Sequence, residues 1–183
     1  MWRFIVLLGL WLNLAQAANV TDACTLLTQT EAEAVLGKGS KVIRDSNEYQ
    51  SFCAYRLPKP AAGGLVAIQI DLFVGPLKWN NQTLDGKAMF AIGLDLLKQT
   101  MQGRDRDGGV SDVTSTPLSG LGDEALIFRH TLSAKNPIVA TAYNIGILIR
   151  KGNQVLAVQM GGLQPPKLEN LQPLARKALS RLP

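Results

Sequence analysis

The chain has 183 residues, with 19 Lys and Arg against 14 Asp and Glu, one histidine and two cysteines. That length supports one ordinary domain with a real hydrophobic core. A single histidine excludes the paired His and Cys arrangements that most nucleophilic catalysis and zinc binding require.

Arg3 precedes an apolar run over residues 4–12, and Ala15-Gln16-Ala17 then places small residues where a signal peptidase cuts. The pattern predicts a secretory signal over residues 1–17, too short to span a bilayer, and one domain over 18–183. The expected location is periplasmic or secreted. Cys24 lies too far past the apolar run to be a lipidated first residue, so membrane contact is expected to be peripheral at most. In an oxidising compartment the pair Cys24 and Cys53 reads as a disulfide.

Asp22 begins a capped turn carrying Leu26 and Leu27, and Thr28-Gln29-Thr30-Glu31 has capping-box spacing. The helix it opens should run to Leu36 and stop at Gly37. Residues 40–57 read as a ragged hairpin, so the disulfide should staple the first helical segment to a strand. Strict alternation from Val66 to Val74 predicts a half-buried strand with Ala67, Gln69, Asp71 and Phe73 on its non-core side. Residues 83–102 show helical periodicity with two apolar stripes, one with Met89, Ile92 and Gly93 and one with Phe90 and Leu94. The second stripe is the one open to a partner or ligand groove.

Residues 125–130, 139–151 and 154–160 read as strands, with Gly152-Asn153 as a two-residue hairpin turn. Opposing Lys151 to Gln154 sets Ile149 on Leu156, Ile147 on Val158 and Ile145 on Met160, all on one face. Leu168 to Leu182 forms an apolar helical stripe in which Pro173 imposes a kink or marks the true start. The predicted fold class is α+β, a largely antiparallel sheet with helices on one face, in helix–strands–helix–strands–helix order.

Familiar chemistry is sparse. His130 sits near a strand end and reads as structural. Ser119 lacks a nucleophile elbow. Gly37-Lys38-Gly39-Ser40 lacks the glycine spacing and preceding strand of a phosphate loop. The stretch 103–109 lacks the oxygens of a calcium loop, and Asp123 and Glu124 are neighbours that a strand would turn to opposite faces. Trp79 is the only Trp after residue 17 and either anchors a sugar or partner or caps a sheet edge. Asn19 and Asn81 begin glycosylation sequons. No catalytic residue, metal site or cofactor motif emerges.

Charge is uneven: residues 18–128 hold 10 basic and 13 acidic groups, whereas 129–183 hold 8 and 1. The basic third either meets an anionic surface or neutralises acids of the first part in space. Nucleic acid is excluded as a partner by export and by the lack of interleaved aromatics.

Asp22-Ala23-Cys24-Thr25-Leu26-Leu27-Thr28, Phe52-Cys53-Ala54-Tyr55 and Gly120-Leu121-Gly122-Asp123-Glu124 together carry a resemblance. The chain resembles exported, often lipid-anchored bacterial domains of unknown function, common in actinobacteria, that pair such cysteines. The resemblance implies a bacterial envelope domain of helices and sheet and brings no catalytic residues. The chain departs from lipoprotein members by lacking the lipidation cysteine.

The expected function is therefore a non-enzymatic binding or accessory domain for an envelope protein or small ligand. Its expected surface comprises Gln69, Asp71, Phe73, Asn144 and Gln159 on the non-core sheet face with nearby basic residues, and Trp79 as a further candidate. Two alternatives stand beside it: an electrostatic adaptor through the basic last third, and a hydrolase using Asp71, Asp123 and Glu124.

Overall fold

The computed structural model describes residues 20–61, 64–79, 82–103, 110–133 and 141–183. The predicted secretory segment, Asn19, the sequon residue Asn81, residues 104–109 of the charged stretch and residues 139–140 of a predicted strand lie outside these. In chain order the elements are α1 (Ala23–Leu26), α2 (Gln29–Leu36), β1 (Lys41–Ser46), β2 (Gln50–Arg56), β3 (Leu65–Val74), β4 (Leu77–Trp79) and β5 (Gln82–Leu84). Then come α3 (Gly86–Gly103), β6 (Val110–Pro117), β7 (Glu124–Ser133), β8 (Ala142–Lys151), β9 (Gln154–Gly162) and α4 (Leu168–Ser180).

Seven strands form one antiparallel sheet in the order β1-β2-β3-β9-β8-β7-β6, and β4 and β5 make a separate two-stranded ladder. The β8–β9 register is Lys151 to Gln154, Ile149 to Leu156, Ile147 to Val158 and Ile145 to Met160. That is the pairing which turn chemistry and shared apolar burial select together.

The first face of the sheet carries Ile68, Ile70, Leu72, Ile145, Ile147, Ile149, Leu156, Val158 and Met160, packed under α1, α2 and α4. Helices were expected on this face alone, but α3 packs on the other. There Leu126, Phe128, Leu148, Val155 and Ala157 meet Met89, Phe90 and Leu94. The physical reason lies in the sequence of β7, β8 and β9, whose alternate positions are apolar in both phases. Central strands of that kind need cover on two sides.

Two local expectations shift as well. The principal helix begins at Gly86 rather than Thr83, because Gln82, Thr83 and Leu84 pair with β4. Asp85 then caps it, its Oδ1 accepting from the Ala88 amide at 2.8 Å. Helix α4 starts at Leu168 and runs through Pro173, so the start at Pro173 does not occur. Leu171, fully buried, anchors the turn ahead of the proline.

Strand β2 holds α1 through alternate residues of one face. Ser51 Oγ accepts from the Ala23 amide at 2.8 Å, Cys53 forms the disulfide with Cys24, and the Tyr55 hydroxyl donates to the Leu27 carbonyl. Helix α2 carries the capping box between Thr28 and Glu31 and ends at Gly37, whose φ of 95° is open chiefly to glycine. Glu31 has a second duty. Both its oxygens accept from Arg181 at 2.7 Å, and Lys177 lies 2.8 Å away, so the last helix is clamped to the first part of the chain. The Arg181 guanidinium, with help from Lys177 and against a smaller opposing effect of burial, holds the Glu31 carboxyl far below the usual carboxylate range.

Two outcomes follow for stability. Replacing both cysteines by alanine should cost about 3–4 kcal/mol in urea unfolding, because the cross-link closes a loop of roughly 30 residues. Glu31→Gln retains capping ability but loses the charge, and should destabilise by about 1–2 kcal/mol at neutral pH. A carboxyl whose folded pKa is depressed contributes stability above its unfolded value and loses it as pH falls. The difference between Glu31→Gln and the parent should therefore shrink steadily below about pH 4.5 in pH-dependent thermal melts.

Candidate functional site

The second face of the sheet is only partly covered. Helix α3 starts hard against the β8–β9 hairpin: the Gly86 amide donates to Asn153 Oδ1 at 3.3 Å. A side chain at Gly86 would strike the Gly152 carbonyl oxygen at 2.1 Å. From there its principal contacts are with β8, β9, β6 and β5. The part of the face formed by β1, β2 and β3 lies beside the helix.

Cross-strand register places three polar residues of the predicted surface side by side on that face. Gln69 is opposite Gln159, and Gln159 is opposite Gly146, one pair removed from Asn144. Asp71 follows Gln69 on the same side of β3. Gln69 Nε2 donates to Asp71 Oδ2 at 2.8 Å and Gln159 Nε2 donates to the same oxygen at 3.2 Å. Asn144 Nδ2 donates to Gln159 Oε1 at 3.3 Å.

The direction of these bonds has one cause. An ionised carboxylate accepts and cannot donate, so both glutamines must turn their NH2 groups to Asp71. Gln159 then presents its oxygen to Asn144, which must donate in turn. The Asn144 Oδ1 is left as a buried acceptor with no partner among the described residues. Asp71 itself is 8% exposed. Burial pushes its carboxyl above the usual range, and the bonds from Gln69 and Gln159 only partly offset this.

His130 is buried on β7 opposite Asn144, on the same face. Phe128, two residues earlier, lays its ring across Gly146; a side chain there would sit 2.0 Å from the ring. The glycine is thus a socket, and the ring walls the polar group off from the apolar core under α3.

One cavity borders this group: about 450 Å³, it is lined by Gln69, Asn144, His130, Phe52, Ala54 and Leu163 among others. A second, about 430 Å³, shares Ile43 and Phe52 with it, and a third of the same volume shares Asn47 and Gln50 with the second. Neighbouring cavities share wall residues, so the three lie end to end as an interrupted groove along β2 and β3, from Gln50 and Phe73 to Arg56 and Ala67. Over that stretch of strand the groove is about 20 Å long. Its far end is apolar, formed by Phe73, Leu77, Leu84, Met89 and Ile92.

Of the predicted surface residues, Gln69, Asp71, Asn144 and Gln159 are gathered in one hydrogen-bonded group, and Phe73 lies at the apolar end of the same groove. Trp79 ends β4 opposite Gln82, in the separate two-stranded ladder; its side chain lies outside the described residues. The groove also uses the Met89, Ile92 and Gly93 stripe of α3, whereas Phe90 and Leu94 of the other stripe pack against the core. Phe52, Ile43 and Leu163 were missed, because hairpin and loop positions carry no burial signal until strands are paired.

The three acids of the alternative hydrolase do not form one cluster: Asp71 is remote, whereas Asp123, which precedes β7 and so is not turned to the face opposite Glu124, meets it on one neutralising guanidinium. Asp123 and Glu124 both bind Arg150, at 2.8 and 3.1 Å. Asp71 aligns through Ala157 and Leu148 with Leu126, three strands away. That spacing is about 14 Å across the sheet before any offset along it, beyond the ~5–9 Å of a carboxylate pair. Basic residues of the last third are likewise engaged: Lys177 and Arg181 with Glu31, Arg150 with its two acids, and Lys151 Nζ donating to the Leu182 carbonyl at 3.1 Å. No protein-family model matches the chain, and no curated protein does.

Asp71→Asn should be neutral or stabilising at pH 7, since it removes a charge that burial disfavours. A group whose folded pKa is raised contributes stability below its unfolded value and loses it as pH rises through the folded value. The gain from Asp71→Asn should therefore vanish below about pH 3.8 and be full at neutral pH. Thermal melts across that interval measure it, and a variant less stable at pH 7 would contradict the burial argument.

Proposed function

We propose that this chain is an exported, non-enzymatic binding domain that takes its ligand or partner in the groove between α3 and the β1–β2–β3 part of the sheet. One observation carries the reading. The large hydrophobic side chains exposed among the described residues are Ile43, Ile92 and Leu163, and all three line this groove. Exposed apolar residues scattered over a surface need no explanation, whereas their gathering along a row of adjoining cavities beside a buried polar group supports a binding role.

Export is supported by the secretory pattern of residues 1–17 and by the Cys24–Cys53 disulfide, which belongs in an oxidising compartment. The bacterial envelope setting rests on the resemblance described above. The internal pairing of acids with Arg150, and of Glu31 with Lys177 and Arg181, favours binding in the groove over carboxylate hydrolysis or a basic adaptor surface.

The test is native mass spectrometry of the protein recovered from its exporting host and after exposure to fractionated envelope extract. A retained small molecule or partner should be lost in Ile92→Asp and Ile43→Asp, which place charge at exposed groove positions that tolerate it. A parent protein that retains nothing from any fraction, or variants that retain as much as the parent, would overturn the reading.

A further inference from the structure

We infer that β1 is a self-pairing edge: two copies of this chain join through it as antiparallel strands, about a two-fold axis at Ile43, with Lys41 of each copy opposite Asp45 of the other. The inference concerns the rim of the sheet and does not depend on what the groove binds.

Strands β1 and β6 end the seven-stranded sheet, so each has one side without a strand among the described residues. The two edges differ. At β6 the Leu118 amide donates to the Ala125 carbonyl, and the alternation of an antiparallel ladder then turns the backbone groups of Val113, Ser115 and Pro117 outward. Pro117 has no amide to offer there, which blunts that edge. Strand β1 contains no proline. The Asn47 amide donates to the Gln50 carbonyl at 2.8 Å, so residues 41, 43 and 45 bond β2 while Val42, Arg44 and Ser46 direct their backbone groups outward. Before them, both backbone groups of Ser40 are taken by Gln29 and Glu33 at 2.9 Å. The free edge therefore begins just past Ser40.

The side chains select one register. Two-fold pairing must set outward residues against outward residues, and Val42 opposite Arg44 satisfies this. It places Ile43 against Ile43, flanked on each side by Lys41 against Asp45. The Ile43 pair falls at a non-hydrogen-bonded position, where side chains approach most closely. In the single chain Ile43 is 46% exposed. Sliding one strand by two residues loses the match: one direction sets Arg44 against Arg44, and the other sets Lys41 against Ile43. Charges on an edge ordinarily deter pairing. Here Lys41 and Asp45 stand two residues either side of Ile43, so against a second copy each meets its opposite. Ile43 keeps its place on the second face, at the rim of the groove. Two hydrogen-bonded pairs along so short a strand make a small interface of the transient class, so the dimer is weak and concentration-dependent.

The experiment is sedimentation equilibrium at low salt on the protein recovered from its exporting host, over roughly 0.01–1 mM. The parent should pass from monomer to dimer within that range, and salt should weaken the dimer. Amide exchange at Val42 and Arg44 should slow with concentration, whereas Ile43 and Asp45, already bonded to β2, should not change. Lys41→Asp alone and Asp45→Lys alone should each weaken association about tenfold or more. An equimolar mixture of these two variants, or the double variant, should regain it to within about threefold of the parent. Arg44→Pro removes an outward amide without touching the β1–β2 bonds and should abolish the dimer. Its exposed contact with Asp22, at 3.9 Å, counts for little. Circular dichroism checks that each variant is folded, and the charge reversals at two exposed positions decide the matter if Arg44→Pro is not. A monomer at every concentration overturns the inference. So does a dimer indifferent to these substitutions, or charge reversals that neither mixing nor combination rescues.

Discussion

The sheet is wider than the single helix available to cover its second face. Seven strands about 4.8 Å apart make a surface nearly 30 Å across, while one helix shields about 10 Å. On the first face α1, α2 and α4 share the task, and the apolar positions of β3, β9 and β8 are closed beneath them. On the second, α3 is committed to β8, β9 and β6 by its anchored start at Gly86. The remaining β1–β2–β3 surface is open because no described helix is left to close it.

The chain adapts its composition to that geometry. Beneath α3 the second face is Leu126, Phe128, Leu148, Val155 and Ala157. Beyond the helix it changes to Gln69, Asp71, Asn144 and Gln159, linked to one another by hydrogen bonds, with the Asn144 Oδ1 unpartnered among the described residues. A carboxylate placed there imposes a direction on every amide it reaches, so Asp71 sets the polarity of residues as distant in sequence as Gln159. The buried network then resists the rearrangement that an open, wholly apolar face would invite.

The closed face serves a different end. Residues 51, 53 and 55 of β2 grip α1 by a hydroxyl, a disulfide and a phenol, and Glu31 joins the first helices to the last. These ties span most of the chain length and make a stiff platform. A groove on one side of a sheet keeps its shape only if the other side does not move.

Much of this architecture was legible residue by residue. Gly152-Asn153 and the apolar alternation on either side specified the β8–β9 register, since a slip of one residue would turn Ile145, Ile147 and Ile149 away from the core. Thr28 and Glu31 announced α2, and the alternation of Val66 to Val74 put Gln69, Asp71 and Phe73 on one side of a strand. Periodicity speaks for one element at a time, however. It could not say that α3 would lie across the opposite face from α4, nor that Glu31 and Arg181 would meet. Nor could it show that Ile43, Ile92 and Leu163, from a strand edge, a helix and a loop, would line adjoining cavities. Local pattern determined which face each residue takes; only long-range strand order, through the unequal covering of two faces by a few helices, decided which of those faces stays open.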